Sequence, residues 1–472
     1  MESNILRMLP SVEELMNTPE VAQLAEEHDR DLVVHAARSV IDSTRSEIIK
    51  SGQLDKAEEI VSLKSISSRV VSCVEAKFSP SLRWAINAAG IILHTGLGRA
   101  VMSEKAIEAV NDVIKGYCTL ATDIEKGQRC SRDVHFSDLL CEITGAEAAT
   151  AANNNAAATM LVLNTLAKGK EVIISRGQLV EIGGSFRMPD VMESSGAIMR
   201  EVGTTNKTHL RDYAAAINEN TGAILRVHMS NYRIVGFFEE PSIEDMAKLA
   251  REHGLPIIDD LGSGALFDLR EFGLESEPMV RDSIKEGVDV ACFSGDKLIG
   301  GPQAGIMVGK ANVIRHIKKN PLARALRIGK MEVAALEATL RLFLEPGKLK
   351  QTHPTYRMLS LTVDEIQTRA QAVANHLLDS ISDHAEISVI DGSSQVGSGS
   401  VPAEMMPTRL LGVRPISMSA DALARKLRRS SPPIFARIHQ EAVLFDFRTI
   451  QPNEDELVER ALREILVTVT LD

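Results

Sequence analysis

The sequence predicts an α/β fold, a mostly parallel sheet with helices on both faces, and three observations lead there. Between about residues 85 and 344, short β-branched runs alternate with amphipathic helical stretches. The runs include EVIIS (Glu171 to Ser175), AILRVHM (Ala223 to Met229), LPIID (Leu255 to Asp259) and VDVACF (Val288 to Phe293). Polar residues and glycines gather where these runs end, which is where open parallel sheets place their ligands. The chain is 472 residues long and 44% apolar, enough for more than one buried core.

From the amino end, residues 1 to 80 read as a helical module. Ser11-Val12-Glu13-Glu14 has the form of a capping box, in which the serine oxygen and the glutamate carboxylate each accept a backbone N–H. Thr18-Pro19 gives a second start, with proline at the first helical position. Apolar residues recur at helical spacing through Leu32, Val33, Ala36, Ala37, Val40 and Ile41 to a stop expected near Gly52. The spacing resumes through Ile60, Val61, Ile66, Val70 and Val74 before Ser79-Pro80. Residues 81 to 350 form the expected large domain. After Pro346-Gly347 and His353-Pro354 a long helical segment begins, followed by strand-like EISVID (Glu386 to Asp391) and AVLFDFR (Ala442 to Arg448). A helix that includes Glu454 to Ile465 closes the chain, so residues 351 to 472 read as a smaller α/β domain.

The chemistry centres on VDVACFSGDKLIGGPQAG (Val288 to Gly305), which sets Lys297 just beyond a buried apolar strand. An ammonium there is partly desolvated, which lowers its pKa and frees the neutral amine to attack a carbonyl. Taken alone, Ser294-Gly295-Asp296-Lys297 fits equally a lysine that carries its charge into solvent. Other segments tip the balance. LPIIDDLGSG (Leu255 to Gly264) is another short strand, ending in Asp259 and Asp260. ANNNAAA (Ala152 to Ala158) is a polar turn opening an alanine-rich helix, whose free N–H groups and dipole suit a phosphate. Together they outline a pyridoxal phosphate site: Asn153, Asn154 and Asn155 for the phosphate, an aspartate for the ring nitrogen, and Lys297 for the aldehyde. His228, Asn231 and Ser294, with Ser230 beside them, fall at the strand ends and complete the candidate cofactor residues.

Other classes are disfavoured. The formal net charge is -11, and the first eighty residues carry 9 Lys+Arg against 14 Asp+Glu, so no general electrostatic grip on RNA is expected. The exception is Arg315 to Lys330, RHIKKNPLARALRIGK, a basic run without an acid that suits an anionic substrate. Cys73, Cys118, Cys130, Cys141 and Cys292 show no C-x-x-C spacing, which argues against a disulfide frame and a zinc site. No apolar run approaches the roughly 18 to 20 residues of a membrane span, and the acidic start is not a signal peptide, so a cytoplasmic location is expected. HTGLGR (His94 to Arg99) lacks the third glycine of a dinucleotide fingerprint.

A series of motifs runs nearly end to end: LPSVEEL from Leu9, INAAGIILHTGLGRA from Ile86, NNNAAA from Asn153, SRGQLVEIGGSFRMPDVM from Ser175 and EVGTTN from Glu201. VHMSNYRIVGF from Val227, DLGSG from Asp260, FSGDKLIGGPQAG from Phe293 and NPLARALRIGK from Asn320 continue it. In this series the chain resembles the bacterial selenocysteine synthases, the L-seryl-tRNA(Sec) selenium transferases. The resemblance implies the aspartate aminotransferase fold (fold type I) with pyridoxal 5'-phosphate, Lys297 as the aldimine lysine and Asp296 as its functional neighbour. It assigns Arg99, Arg324 and Arg327 to the anionic donor selenophosphate, a sensible role because guanidinium forks bind oxyanions in bidentate fashion. Asp259 and Asp260 face opposite ways along their strand, and the DLGSG pattern favours Asp260 beneath the ring nitrogen.

The resemblance further implies conversion of seryl-tRNA(Sec) to selenocysteyl-tRNA(Sec) through a dehydroalanyl intermediate. The amino-terminal module would hold the tRNA, Lys426, Arg428 and Arg429 would add phosphate contacts, and subunits would assemble as a homo-oligomer, a ring of dimers. One departure is CTLATDIEKGQRCSRD (Cys118 to Asp133), where the family pattern carries tyrosine and a glycine after the arginine but this chain has Cys130. The alternative reading is a related lyase acting on a small amino acid or amino sugar without tRNA. Such relatives generally lack the helical module, which counts against it. A non-catalytic scaffold is disfavoured by an intact lysine, aspartate and phosphate turn.

Overall fold

The computed structural model describes residues 6–467 apart from 52–59, 185, 275–276 and 403. The chain divides into two compact units, Met1–Trp84 and Ala85–Asp472.

Among its described residues the first unit has a short 3-10 turn at Leu6–Met8 and α-helices at Val12–Met16, Pro19–Glu27, Arg30–Ser51 and Leu63–Phe78. The capping box forms: Ser11 Oγ accepts the Glu14 N–H at 3.2 Å, and the Glu14 carboxylate accepts the Ser11 N–H at 2.7 Å. Thr18 stands at the next N-cap without a side-chain bond, and Pro19 opens that helix. Leu15, Val21, Val33, Ala36, Ala37, Ile66, Val70 and Val74 make one shared core. Of the expected apolar positions, Leu32 is half-buried and Ile60 exposed. Gly52, the expected stop, lies outside the described residues.

Among the described residues the second unit holds two large sheets and two short two-stranded ribbons. The larger has seven strands in the order Ala148–Ala152, Gly305–Gly309, Val290–Ser294, Ile257–Gly262, Thr221–Val227, Glu171–Ser175 and Ile198–Val202. Only Gly305–Gly309 runs against its neighbours. Both faces are covered, which is why these strands read as continuous apolar runs rather than alternating ones. Ile258, Val290 and Cys292 join Ala158, Leu161 and Val162 of the helix Asn155–Ala167 on one face. Ile257 and Ile224 meet Tyr213 and Met246 on the other, where Ala291 and Phe293 also pack into a third cluster.

The smaller sheet runs in the order Ile86–Ala88, Ile434–His439, Ala442–Asp446, Met406–Pro415, Ala385–Ser394. Its neighbours are antiparallel except the first pair, where Ile86 stands beside Ile434 in parallel register. The helices Val363–Ile381, Ala420–Arg429 and Asp455–Val467 bury Ile366, Leu377, Leu423, Leu427 and Leu462 against Phe445 and its neighbours. Strands were expected at 386–391 and 442–448, but not at Met406–Pro415, Ile434–His439 or Ile86–Ala88. The last is too short to show a period, and it carries residues of the expected large domain into the carboxy-terminal sheet. Val396, Val401 and Met406 in turn enter the core around Phe293 and Leu298, so the segments on either side of residue 350 share a sheet and a core.

Candidate functional site

At the carboxyl ends of three adjacent strands lies a cavity of about 280 Å³, whose walls include Arg99, Asn154, Asn155, His228, Asp260 and Lys297. A larger hollow of about 480 Å³ beside Phe272, Leu361 and Pro407 brings together no comparable set of reactive groups.

Lys297 is buried in the turn after Val290–Ser294. The turn is fixed by bonds from Gly295 N–H to Ala304 O at 2.8 Å, Leu298 N–H to Ser263 O at 3.2 Å, and Gly300 N–H to Lys297 O at 2.9 Å. Burial pushes the ammonium's pKa down and Arg99 pushes it further. Asp260, Asp296 and Glu277 oppose this without reversing it. The result is an amine disposed to lose its proton.

Asp260 lines the cavity, where its carboxylate accepts from Asn155 Nδ2 at 2.7 Å and Thr159 Oγ1 at 3.1 Å. Burial raises its pKa in spite of those bonds and of Lys297. Asp259 turns to the opposite face, fully buried, with Arg226 at 3.0 Å and Ser283 Oγ at 2.6 Å. Strand alternation thus separates the two carboxylates, as the pleat requires.

The three asparagines of the turn do different things. Asn154 caps the helix Asn155–Ala167, its side chain accepting the Ala157 N–H at 2.9 Å. Asn155 spends its amide nitrogen on Asp260, while Asn153 is exposed, outside the cavity lining, and donates its backbone N–H to Leu326 O at 2.8 Å. Gly305 lets the neighbouring strand pass close to this turn, since a Cβ there would fall 2.0 Å from Asn154 O.

His228, Ser230 and Ser294 line the cavity, and the His228 N–H donates to Asp260 O at 2.9 Å. Burial lowers the His228 pKa, with Glu277 opposing. Asn231 is exposed and outside the lining, and its side chain donates to Glu181 O at 2.8 Å. Asn155 Oδ1, His228 Nδ1 and Ser230 Oγ are buried without a protein partner. Such orphaned polar atoms around a lysine, a carboxylate and a helix start fit a ring that carries a phosphate and several polar substituents.

Arg99 lines the cavity and pairs with Asp296 at 2.6 Å. Its backbone sits at φ 64°, a left-handed conformation uncommon outside glycine. Arg324 and Arg327 are exposed and not part of the lining, so the structure does not bring them into one cavity with Lys297. They flank the asparagine turn instead, because Arg327 bridges to Ala152 and Leu326 accepts from Asn153. Arg132 joins them: burial, Arg327 and Arg324 all lower its pKa, and its guanidinium donates to Ile328 O. Asp133 beside it is bonded to Lys318 at 2.6 Å.

Sequence reasoning missed Thr159, Glu277, Gln303 and Arg132. Thr159 alone carried a local signal, standing four residues after Asn155 on the same helix face.

A profile for L-seryl-tRNA selenium transferase matches residues 85–451, and one for the selenocysteine synthase N terminal matches residues 6–45. The L-seryl-tRNA(Sec) selenium transferase of Alkaliphilus metalliredigens is 46% identical over 98% of this chain and 99% of its own length. That of Carboxydothermus hydrogenoformans is 45% identical over 98% of both chains. Among solved structures, D-glucosaminate-6-phosphate ammonia-lyase superposes with a TM-score of 0.56 at 22% identity, covering 84% of this chain and 98% of that one, a likeness of fold alone.

Proposed function

The chain belongs to the L-seryl-tRNA selenium transferase family, and from that premise we propose that the Lys297 cavity is where seryl-tRNA(Sec) becomes selenocysteyl-tRNA(Sec). The observation that carries this reading is the meeting of Lys297, Asp260 and the asparagine turn in one cavity. The cofactor is pyridoxal 5'-phosphate. Lys297 would hold it through Nζ, Asp260 would face its ring nitrogen, and the N–H groups opening the helix Asn155–Ala167 would meet its phosphate. When bound, it supplies an electron sink for negative charge developing at the seryl Cα.

The protein's residues do the rest. Once the seryl amine has replaced it and Nζ is free, Lys297, its pKa lowered by burial, takes the Cα proton and passes a proton to the Cβ hydroxyl, which leaves as water. Arg99 at the cavity wall, with Arg324 and Arg327 beside the turn, holds the anionic donor selenophosphate while its selenium bonds to Cβ and Cα regains a proton, after which water cleaves the Se–P bond and phosphate leaves. Asp296, paired with Arg99, fixes that guanidinium rather than meeting substrate directly. Asn155 and Thr159 hold the Asp260 carboxylate in place.

We assign the helical unit to tRNA. Its net acidity speaks against a broad electrostatic grip, so the reading rests on the family's N-terminal profile over residues 6–45, with Lys426, Arg428 and Arg429 at the end of Ala420–Arg429 as further phosphate contacts. We also take the enzyme to act as a homo-oligomer, with exposed Val235 and Phe237 as contacts between copies. Among the described residues no helix is long and apolar enough to cross a membrane, and we place the enzyme in the cytoplasm.

Purified protein given the cofactor, seryl-tRNA(Sec) and selenophosphate is expected to form selenocysteyl-tRNA. Indifference to the tRNA, together with release of ammonia or pyruvate from free amino compounds, would falsify the reading.

A further inference from the structure

Glu277 is a buried carboxylate, 3% exposed, outside the regular strands and without a role in the steps above. One oxygen accepts from Ser263 Oγ at 3.1 Å, in the loop just after Asp260, and the other accepts the backbone N–H of Val401. His228 Nε2 lies 3.8 Å away, an ion-pair distance rather than a hydrogen bond. A buried charge is costly unless something nearby uses it, and the basic groups that feel this one are His228 and Lys297.

The partner segment is itself constrained. Val401, β-branched, sits at φ 47°, a left-handed conformation that needs outside support. Two residues earlier, a Cβ on Gly399 would fall 2.7 Å from Ser230 O, so this turn presses on the cavity wall at Ser230. Glu277 is therefore the tie between the carboxy-terminal turn and the loop behind Asp260.

Resting on the reaction read above, we propose that Glu277 is a positioning residue: it anchors the Gly397–Val401 turn and keeps a fixed negative charge beside His228 and Lys297. The charges facing Lys297 are Arg99 on one side and Asp260, Asp296 and Glu277 on the other. Those facing His228 are Glu277, Asp259 and Glu240 against Arg226. Removing the charge of Glu277 leaves Arg99 less opposed, so a cation at Lys297 becomes harder to hold.

The test is Glu277→Gln in the full-length, cofactor-loaded enzyme, since glutamine keeps the size and an acceptor for Val401 but not the charge. The visible band of the lysine-bound cofactor should survive and titrate lower than in the unsubstituted enzyme, by about a few tenths of a pH unit because Glu277 is the weakest of the charges facing Lys297. Glu277→Asp keeps the charge and should titrate as the unsubstituted enzyme does, and it carries the test if the glutamine variant fails to fold. A titration that ignores Glu277→Gln, or one that shifts as far with aspartate, overturns this proposal alone. Absence of the band from the unsubstituted enzyme overturns the cofactor reading and this proposal with it.

Discussion

Asp259 and Asp260 are neighbours in sequence and sit on opposite faces of the large sheet, and the contrast teaches what distinguishes a structural carboxylate from a reactive one. Asp259 has a full cation, Arg226, and a hydroxyl, Ser283, within bonding distance, and nothing of it opens on the cavity. Asp260 receives two neutral donors, Asn155 and Thr159, and shares its cavity with a lysine that resists protonation. One charge is neutralised inside the protein. The other is left able to answer a positive charge brought from outside.

The largest effect should come from the cavity face. Lys297→Ala is expected to abolish the cofactor's visible band and turnover together, and residual turnover above about one part in a thousand would contradict the assignment. Asp260→Asn should keep the fold and the band but cost about a thousandfold in kcat, because the ring nitrogen loses its counter-ion. Asp259→Asn should do the reverse, lowering stability by about 3 kcal/mol in denaturant titrations by leaving the buried Arg226 only its longer pairing with Glu240 at 3.7 Å, with kcat per folded molecule nearly unchanged. Equal losses of kcat from the two substitutions would erase the contrast between the faces.

A further test lies behind the lysine turn. His353 is buried, its Nε2 is 2.8 Å from Ile299 O, and burial lowers its pKa from 6.5 to about 4. Above pH 6.5 both folded and unfolded chains are neutral there. Between 6.5 and 4 the unfolded chain takes a proton that the folded chain refuses, so stability falls with pH, by at most about 3 kcal/mol. His353→Phe should flatten that part of the pH–stability curve. Smallest is the effect at the flanking arginines: Arg324→Ala and Arg327→Ala should each raise KM for selenophosphate about tenfold, roughly 1.4 kcal/mol, and leave the visible band intact.

Much of the cavity face is legible in the amino-acid sequence. The strand Glu171–Ser175 was readable from its residues, and Lys297 and the asparagine turn from their places after an apolar run and before an alanine-rich helix, whereas Asp260 was separated from Asp259 by the family's DLGSG pattern. The division of labour among Asn153, Asn154 and Asn155 was not, because capping, carboxylate binding and exposure depend on which way each side chain turns. Glu277 carried no local sign, since its partners Ser263 and Val401 stand 14 and 124 residues away, beyond the reach of any local spacing. Met406–Pro415 was hidden by its prolines and glycine, which speak against a strand when read alone.

The three-residue strand Ile86–Ala88 bears on how the molecule is made. It emerges from the ribosome early, yet its only sheet neighbour among the described residues, Ile434–His439, follows roughly 350 residues later, a pairing of very long contact order. Until translation is nearly finished, Ile86 and Ala88, both buried in the finished protein, have no sheet to join. A nascent chain stalled before residue 434 would present them as sticky apolar edge, an early substrate for chaperones.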